Sequence, residues 1–246
     1  MKTSDGAYHQ CYNGQAIVDS QAQVIVAATL SAEAPDARQL EPALDRLADN
    51  LAAISAELDE GATLTADAGY FSEDNVRITA RHRLDPHIAT GRFKHSEPQP
   101  PAPRGPVPRN ATPKQRMARK LRTKNGRAVY ARRKTIVEPV FGQLDTVQDA
   151  RRLLLRGKQA ARDQWRFHCA IHNLLKLHRA GGIELISNRN ERNSTPASPS
   201  AGKRRPVAML ATVLHSLAAR FRHSLDTIPA DRLERIASIA LTAPGS

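Results

Sequence analysis

Residues 63–84, TLTADAGYFSEDNVRITARHRL, decide how the chain is read. Thr63 to Ala66 alternate threonine with apolar residues, the pattern of a short strand, and Asp67 stands at the strand's end. Gly69 marks a turn, Ser72 is a residue type that caps helices through its hydroxyl, and EDNVRITARHRL continues as a helix. DPHIATG, residues 85–91, follows as one more short strand.

Upstream, residues 8–30, YHQCYNGQAIVDSQAQVIVAATL, hold two apolar, β-branched runs separated by the polar residues Asp19 to Gln23. They predict two neighbouring strands joined by a turn, with a bulge or bend as the reading of Asn13-Gly14. Asp19 is then a turn residue. From Asp36 onward Leu40, Leu44, Leu47, Leu51 and Ile54 recur at spacings of three and four, the stripe of an amphipathic helix. The order strand, strand, helix, strand, helix, strand gives an α/β (α+β) fold, a mixed sheet covered by helices.

Downstream the pattern breaks. Residues 96–113, SEPQPPAPRGPVPRNATP, are too rich in proline for a ladder or a helix, and they lead into the basic run KQRMARKLRTKNGR. Residues 96–129 are therefore read as a basic, Pro-rich insertion or mobile arm. In RRKTIVEPVFGQL, residues 132–144, the residues Ile136, Val137, Val140, Phe141 and Leu144 form an apolar helical stripe with Glu138 beside it. Pro139 predicts a kink or a late start, since an interior proline costs a helix about 3 kcal/mol. Residues 159–180 are apolar around much of a helical circumference, through Trp165, Phe167, Cys169, Ile171, Leu174, Leu175 and Leu177, and predict a buried helix. Residues 1–182 thus form the main domain, 183–205 have the composition of a flexible linker, and 206–246 read as a helical C-terminal tail.

The 246 residues suffice for one substantial core, and 37 Lys and Arg against 24 Asp and Glu give a net charge of +13, which calls for a polyanionic partner. Nucleic acid is the default reading of that partner; an anionic membrane surface is set aside because no apolar run is long enough to span a bilayer and proline interrupts the basic stretches. Two cysteines, Cys11 and Cys169, make no disulfide framework, and MKTSDGAYHQ has no export signal, so the expected location is the cytoplasm, on the nucleoid. Between Arg92 and Lys134 only Glu97 opposes the basic residues. Lys114, Arg116, Arg119, Lys120, Arg122, Lys124, Arg127, Arg132, Arg133 and Lys134 are read as phosphate contacts, against the alternative of a solvated charge run.

Two carboxylates from distant parts of a chain can hold Mg²⁺, which prefers hard oxygen ligands. Asp67 and Glu138 are the candidates. Taken alone, each has a plainer reading: Asp67 as the cap of its turn, Glu138 as the ion-pair partner of Lys134. His168 and His172, one helical turn apart around Cys169, lack a third ligand and are read as hydrogen-bonded core histidines rather than a metal pair.

The strings YNGQAIVDSQAQVIVA, TADAGYFSEDN, RRKTIVEPVFGQL and LLLRGKQAARDQWRFHCAIHNLLKL resemble, in this order and at similar spacing, the catalytic domain of DDE-type insertion-sequence transposases, over roughly residues 7–180. The resemblance implies an RNase H-like fold, with Asp67 and Glu138 as the second and third members of a carboxylate triad. It implies Mg²⁺ (or Mn²⁺)-dependent DNA strand cleavage and transfer at the terminal repeats of a transposable element, by a chain acting as a homodimer. Its first aspartate belongs on an opening strand in a DGT-like context, ahead of the strands found here. The expectation is a truncated domain that lacks this strand, exposes a sheet edge and is poorly active alone; neither Asp5 nor Asp19 is taken as the substitute. A second departure is Asp145, where the resemblance expects a lysine seven residues after the glutamate. The rival reading is a transposase-derived, non-catalytic nucleic-acid-binding protein.

Overall fold

The chain is described from a computed structural model, in which residues 11–91, 100–180 and 238–242 are placed. The linker 183–205 and most of the 206–246 tail lie outside the described residues. Strand β1 (Asn13–Asp19) pairs antiparallel with β2 (Ile25–Ser31), from Asn13↔Ser31 to Val18↔Ile25. The register slips between Ile17 and Val18, so the irregularity sits there and not at Asn13-Gly14. The connecting turn is held by Asp19, whose Oδ2 accepts from the amides of Gln21 at 3.1 Å and Ala22 at 2.6 Å.

Helix α1 (Leu40–Ala53) buries Leu40, Leu44, Leu47 and Leu51, the expected stripe. Strand β3 (Thr63–Ala66), helix α2 (Glu73–Arg81) and strand β4 (Asp85–Ile88) follow, and β3 and β4 run parallel. Ser72 caps α2 by accepting from the Asn75 amide at 3.0 Å. Helices α3 (Pro113–Arg122), α4 (Lys124–Gln148) and α5 (Lys158–Arg179) complete the main body.

Both faces of the sheet are covered, which is why every residue of β1 is buried. Ile17 turns into a core with Leu40, Leu44, Leu64, Tyr70 and Ile88 on the α1 side. Its neighbours Ala16 and Val18 turn into a second core with Ile136, Val140, Leu144 and Trp165 on the α4–α5 side.

Three expectations are corrected. The basic run is not an arm without structure: Thr112 and Gln115 form a reciprocal capping box, and Pro113 occupies the first helical turn, where its missing amide costs nothing. Thr123 then caps α4 by accepting from the Gly126 amide at 3.0 Å. Helix α5 is not buried all round, since Phe167 is 63% exposed and Leu174 45%. The tail is not helical throughout. Residues Ser238–Thr242 form strand β5 between β1 and β3, giving the order β2-β1-β5-β3-β4. An apolar run as short as SIALT suits either structure, and here two unpaired strand edges satisfy its backbone.

Helix α4 runs through Pro139 instead of starting at it. Pro139 cannot donate to the Thr135 carbonyl, and the Gln23 Nε2 does so at 2.9 Å. Gln23, with φ of 57°, also accepts from Lys176 Nζ at 2.8 Å, and its carbonyl meets His172 Nε2 at 2.9 Å. Gln23→Ala should cost about 0.5–1.5 kcal/mol. In a Pro139→Ala background, where residue 139 regains its amide, the same change should cost less. Urea unfolding of the four chains measures the difference; equal costs in both backgrounds would refute the compensation.

Candidate active site

Asp67 is placed by β3 at its C-terminal end, ahead of a 3₁₀ turn over Ala68–Tyr70. The C-terminal ends of parallel strands are where open α/β sheets present ligand crevices. Asp67 stands at the start of the turn but makes no capping hydrogen bond with its side chain. Its Oδ1 instead meets Arg133 Nη2 of α4 at 2.9 Å, with the Asp67 side chain 35% exposed and Arg133 12%. The Arg133 guanidinium also lies over the Tyr130 ring, 5.6 Å from its centroid. Burial raises the Tyr130 hydroxyl above its ordinary pKa, with the Arg133 charge opposing and Asp67 adding to the rise.

Glu138 lies five residues beyond Arg133 on α4 and is exposed. At about 1.5 Å rise and 3.6 residues per turn it sits further along the axis and well round from the face that reaches Asp67. The structure brings Asp67 to Arg133. Among the described residues no three His, Cys, Asp or Glu gather into a metal-holding group.

Behind Asp67 lies a polar network that the sequence does not announce. The Tyr70 hydroxyl donates to Gln15 Oε1, Gln15 Nε2 donates to Asn13 Oδ1 at 2.7 Å, and Asn13 Nδ2 donates to Asp36 Oδ1 at 2.9 Å. Asn75 Nδ2 clasps the carbonyls of Tyr70 at 2.6 Å and Ala37 at 2.8 Å. Tyr70 is fully buried; burial, then Asp36 and Asp67, raise its pKa, so it stays a neutral donor. A Cβ on Gly69 would come within 2.9 Å of Asp36 Oδ2, which explains the glycine of ADAGY.

The basic residues divide by their partners. Lys120 Nζ is taken by Asp85 and by the Pro86 carbonyl at 2.9 Å, and Arg133 by Asp67. Arg116 and Arg119 hold carbonyls of the Pro-rich segment, from Ala111 at 3.0 Å and Arg104 at 2.8 Å, and Arg127 holds that of Pro100. The Nε of Arg122 is buried without a hydrogen-bond partner. Lys114, Lys124, Arg132 and Lys134 are exposed. Asp145, where the resemblance expects a lysine, is held by Arg151 at 2.8 Å and is only 14% exposed.

His172 is fully buried and bonded to Gln23, as read from the sequence, and His168 Nδ1 lies 3.3 Å from Gln148 Oε1. Burial pushes the Cys169 thiol up to about 12, leaving it inert. Burial also lowers the pKa of His87, helped by Lys120, and that of His168. Below the ordinary histidine pKa of about 6.5 the unfolded chain binds protons that these two refuse when folded. Stability should therefore fall as pH drops from 7 towards 5, by at most about 1.4 kcal/mol per pH unit for each histidine. Urea midpoints across this range measure it, and His87→Gln should flatten the slope; an unaltered slope would count against His87.

Searches of curated proteins and of solved structures return no match. The family profile described as the transposase DDE domain matches residues 2–174, which include β1 to β4, Asp67, Arg133, Glu138 and most of α5. The chain belongs to the transposase DDE domain family.

Proposed function

We propose that this chain binds DNA as a transposase domain of an insertion sequence, and that Asp67 and Glu138 are its carboxylates for Mg²⁺-dependent strand cleavage and transfer. One observation carries the reading: the family's domain spans these residues, with Asp67 at the C-terminal end of a parallel strand and α4, the helix of Glu138, tied to it through Arg133. The strand order β2-β1-β5-β3-β4, with β3 and β4 parallel and β1 and β2 antiparallel, supports reading the sheet as RNase H-like.

Families of this type use divalent metal; Asp67 and Glu138 would supply two of its carboxylate ligands, with a third ligand and the release of Asp67 from Arg133 still required. Asp67 is paired with Arg133, Glu138 is exposed, and no group of three His, Cys, Asp or Glu gathers among the described residues. What the chain's own residues can do is bind a phosphate backbone through Lys124, Arg132 and Lys134, which the fold leaves exposed. Arg122 adds a partly buried cation on the preceding helix. The Asp67–Arg133 pair favours, as the second reading, a domain that binds DNA without cutting it.

Gel-shift titrations over a salt series test the binding. Replacing Lys124, Arg132 and Lys134 together by alanine should lower the slope of log K against log salt by about 1 for each lost phosphate contact. An unchanged slope would remove the surface from the assignment. Nicking of supercoiled plasmid with Mg²⁺ or Mn²⁺, lost in Asp67→Asn or Glu138→Gln, supports the catalytic reading; binding without metal-dependent cleavage supports the second. No helix among the described residues is long and apolar enough to cross a membrane. A homodimer acting on terminal repeats, on the nucleoid, completes the proposal.

A further inference from the structure

The central strand of this sheet comes from outside the matched domain. The family match ends at residue 174, yet β5, residues 238–242, lies between β1 and β3. It runs antiparallel to β1, from Ala16↔Thr242 to Asp19↔Ile239, and parallel to β3, from Thr63↔Ser238 to Ala66↔Leu241. Without it, the inner edges of β1 and β3 would leave buried amides and carbonyls unpaired, which folded proteins avoid. The position thus requires an extended segment of this polarity, and it recognises that segment mainly through its backbone. Both sheet partners of β5 lie in residues 13–66, and its covalent link to the body passes through residues 181–237. Its ladder contacts are the same whether the tail belongs to this copy or to another, the condition for exchange of an identical element.

We propose that the position between β1 and β3 is a strand-acceptor site, filled by the chain's own C-terminal strand in dilute solution and by that of a second copy in concentrated solution. The product is a strand-exchanged dimer. The last β3–β5 pair, Ala66↔Leu241, stands immediately before Asp67, so in the dimer each copy's tail completes the sheet beside the other's Asp67. Pairing with the chain's own strand is intramolecular and exchange is bimolecular, so the exchanged form grows with protein concentration.

Disulfide trapping in the full chain tests this, with Cys11→Ser throughout; the remaining native thiol, Cys169, is buried. The Ala16→Cys/Thr242→Cys double variant should oxidise to an intramolecular disulfide at micromolar protein, because directly paired strand residues lie within bridging distance. An equimolar mixture of the Ala16→Cys and Thr242→Cys single variants should yield a disulfide-linked heterodimer, rising at least several-fold between micromolar and near-millimolar protein. Glu33→Cys, exposed and outside the β1–β5 ladder, replaces Ala16→Cys as the collision control and should give no such rise. No intramolecular disulfide would overturn the placement of β5. An intramolecular disulfide with no heterodimer above the control would overturn exchange and make β5 a permanent strand. Neither result depends on DNA or metal, so failure here is separate from failure of the catalytic reading.

Discussion

Replacing Trp165 with alanine is expected to lower the free energy of unfolding by about 3–5 kcal/mol. Trp165 is 3% exposed on the α4–α5 side of the sheet, its ring 6.3 Å from that of Phe141, and its Nε1 donates to the Gln15 carbonyl at 3.2 Å. It lies over Gly14, where a Cβ would stand 3.1 Å from the indole, so the glycine in β1 is there to let the ring approach. Domains of this kind are stable by only about 5–15 kcal/mol, so the loss is a large share of the whole. As Trp165 is the only tryptophan, the urea transition has to be followed by circular dichroism. Trp165→Phe, which keeps an aromatic ring and loses the donor, should cost markedly less. Gly14→Ala, damaging in the native sequence, should be tolerated better beside Trp165→Ala. If alanine and phenylalanine at position 165 cost the same, the ring is not what holds this core together.

Most of the sheet was legible because its signals are local. The alternation in β1 and β2, the leucine stripe of α1 and the Ser72 cap of α2 each lie within a few residues of the element they announce. Asp67 was legible for the same reason, as a carboxylate ending a strand. Helix α3 was hidden because proline was read as a breaker, whereas Pro113 sits in the first turn, where proline is welcome. Strand β5 was hidden because its pairing joins residues 238–242 to 16–19 and 63–66, and no local pattern encodes a partner so distant.

The basic cluster shows the limit more sharply. In the sequence Lys120, Arg133 and Lys134 are equivalent cations near a phosphate-binding reading. In the fold Lys120 is bound to Asp85 and Arg133 to Asp67, while Lys134 remains exposed. Which cation stays available for DNA is decided by helix rotation and by carboxylates far away in sequence, so charge counting gives the class of partner and not the contacts.

The network behind Asp67 was hidden for a related reason: Asn13-Gly14 has the look of a turn dipeptide and Asp36 that of a helix starter. Gln15→Leu isolates what the network contributes. Gln15 has no exposed surface, and leucine is of similar bulk, so the change removes hydrogen bonds with little change in volume. It leaves the Tyr70 hydroxyl without the acceptor it uses and Asn13 Oδ1 without its donor. Each stranded buried group costs about 1–3 kcal/mol, so the variant should lose roughly 2–5 kcal/mol in urea unfolding. Adding Tyr70→Phe removes one of the two stranded groups, and the double variant should recover part of the loss although it carries one more substitution. A double variant less stable than Gln15→Leu alone would show that Tyr70 acts through packing rather than through its hydroxyl. Tyr70 ends the turn that Asp67 opens, so the same chain of bonds that stabilises the core also fixes the backbone carrying the candidate carboxylate.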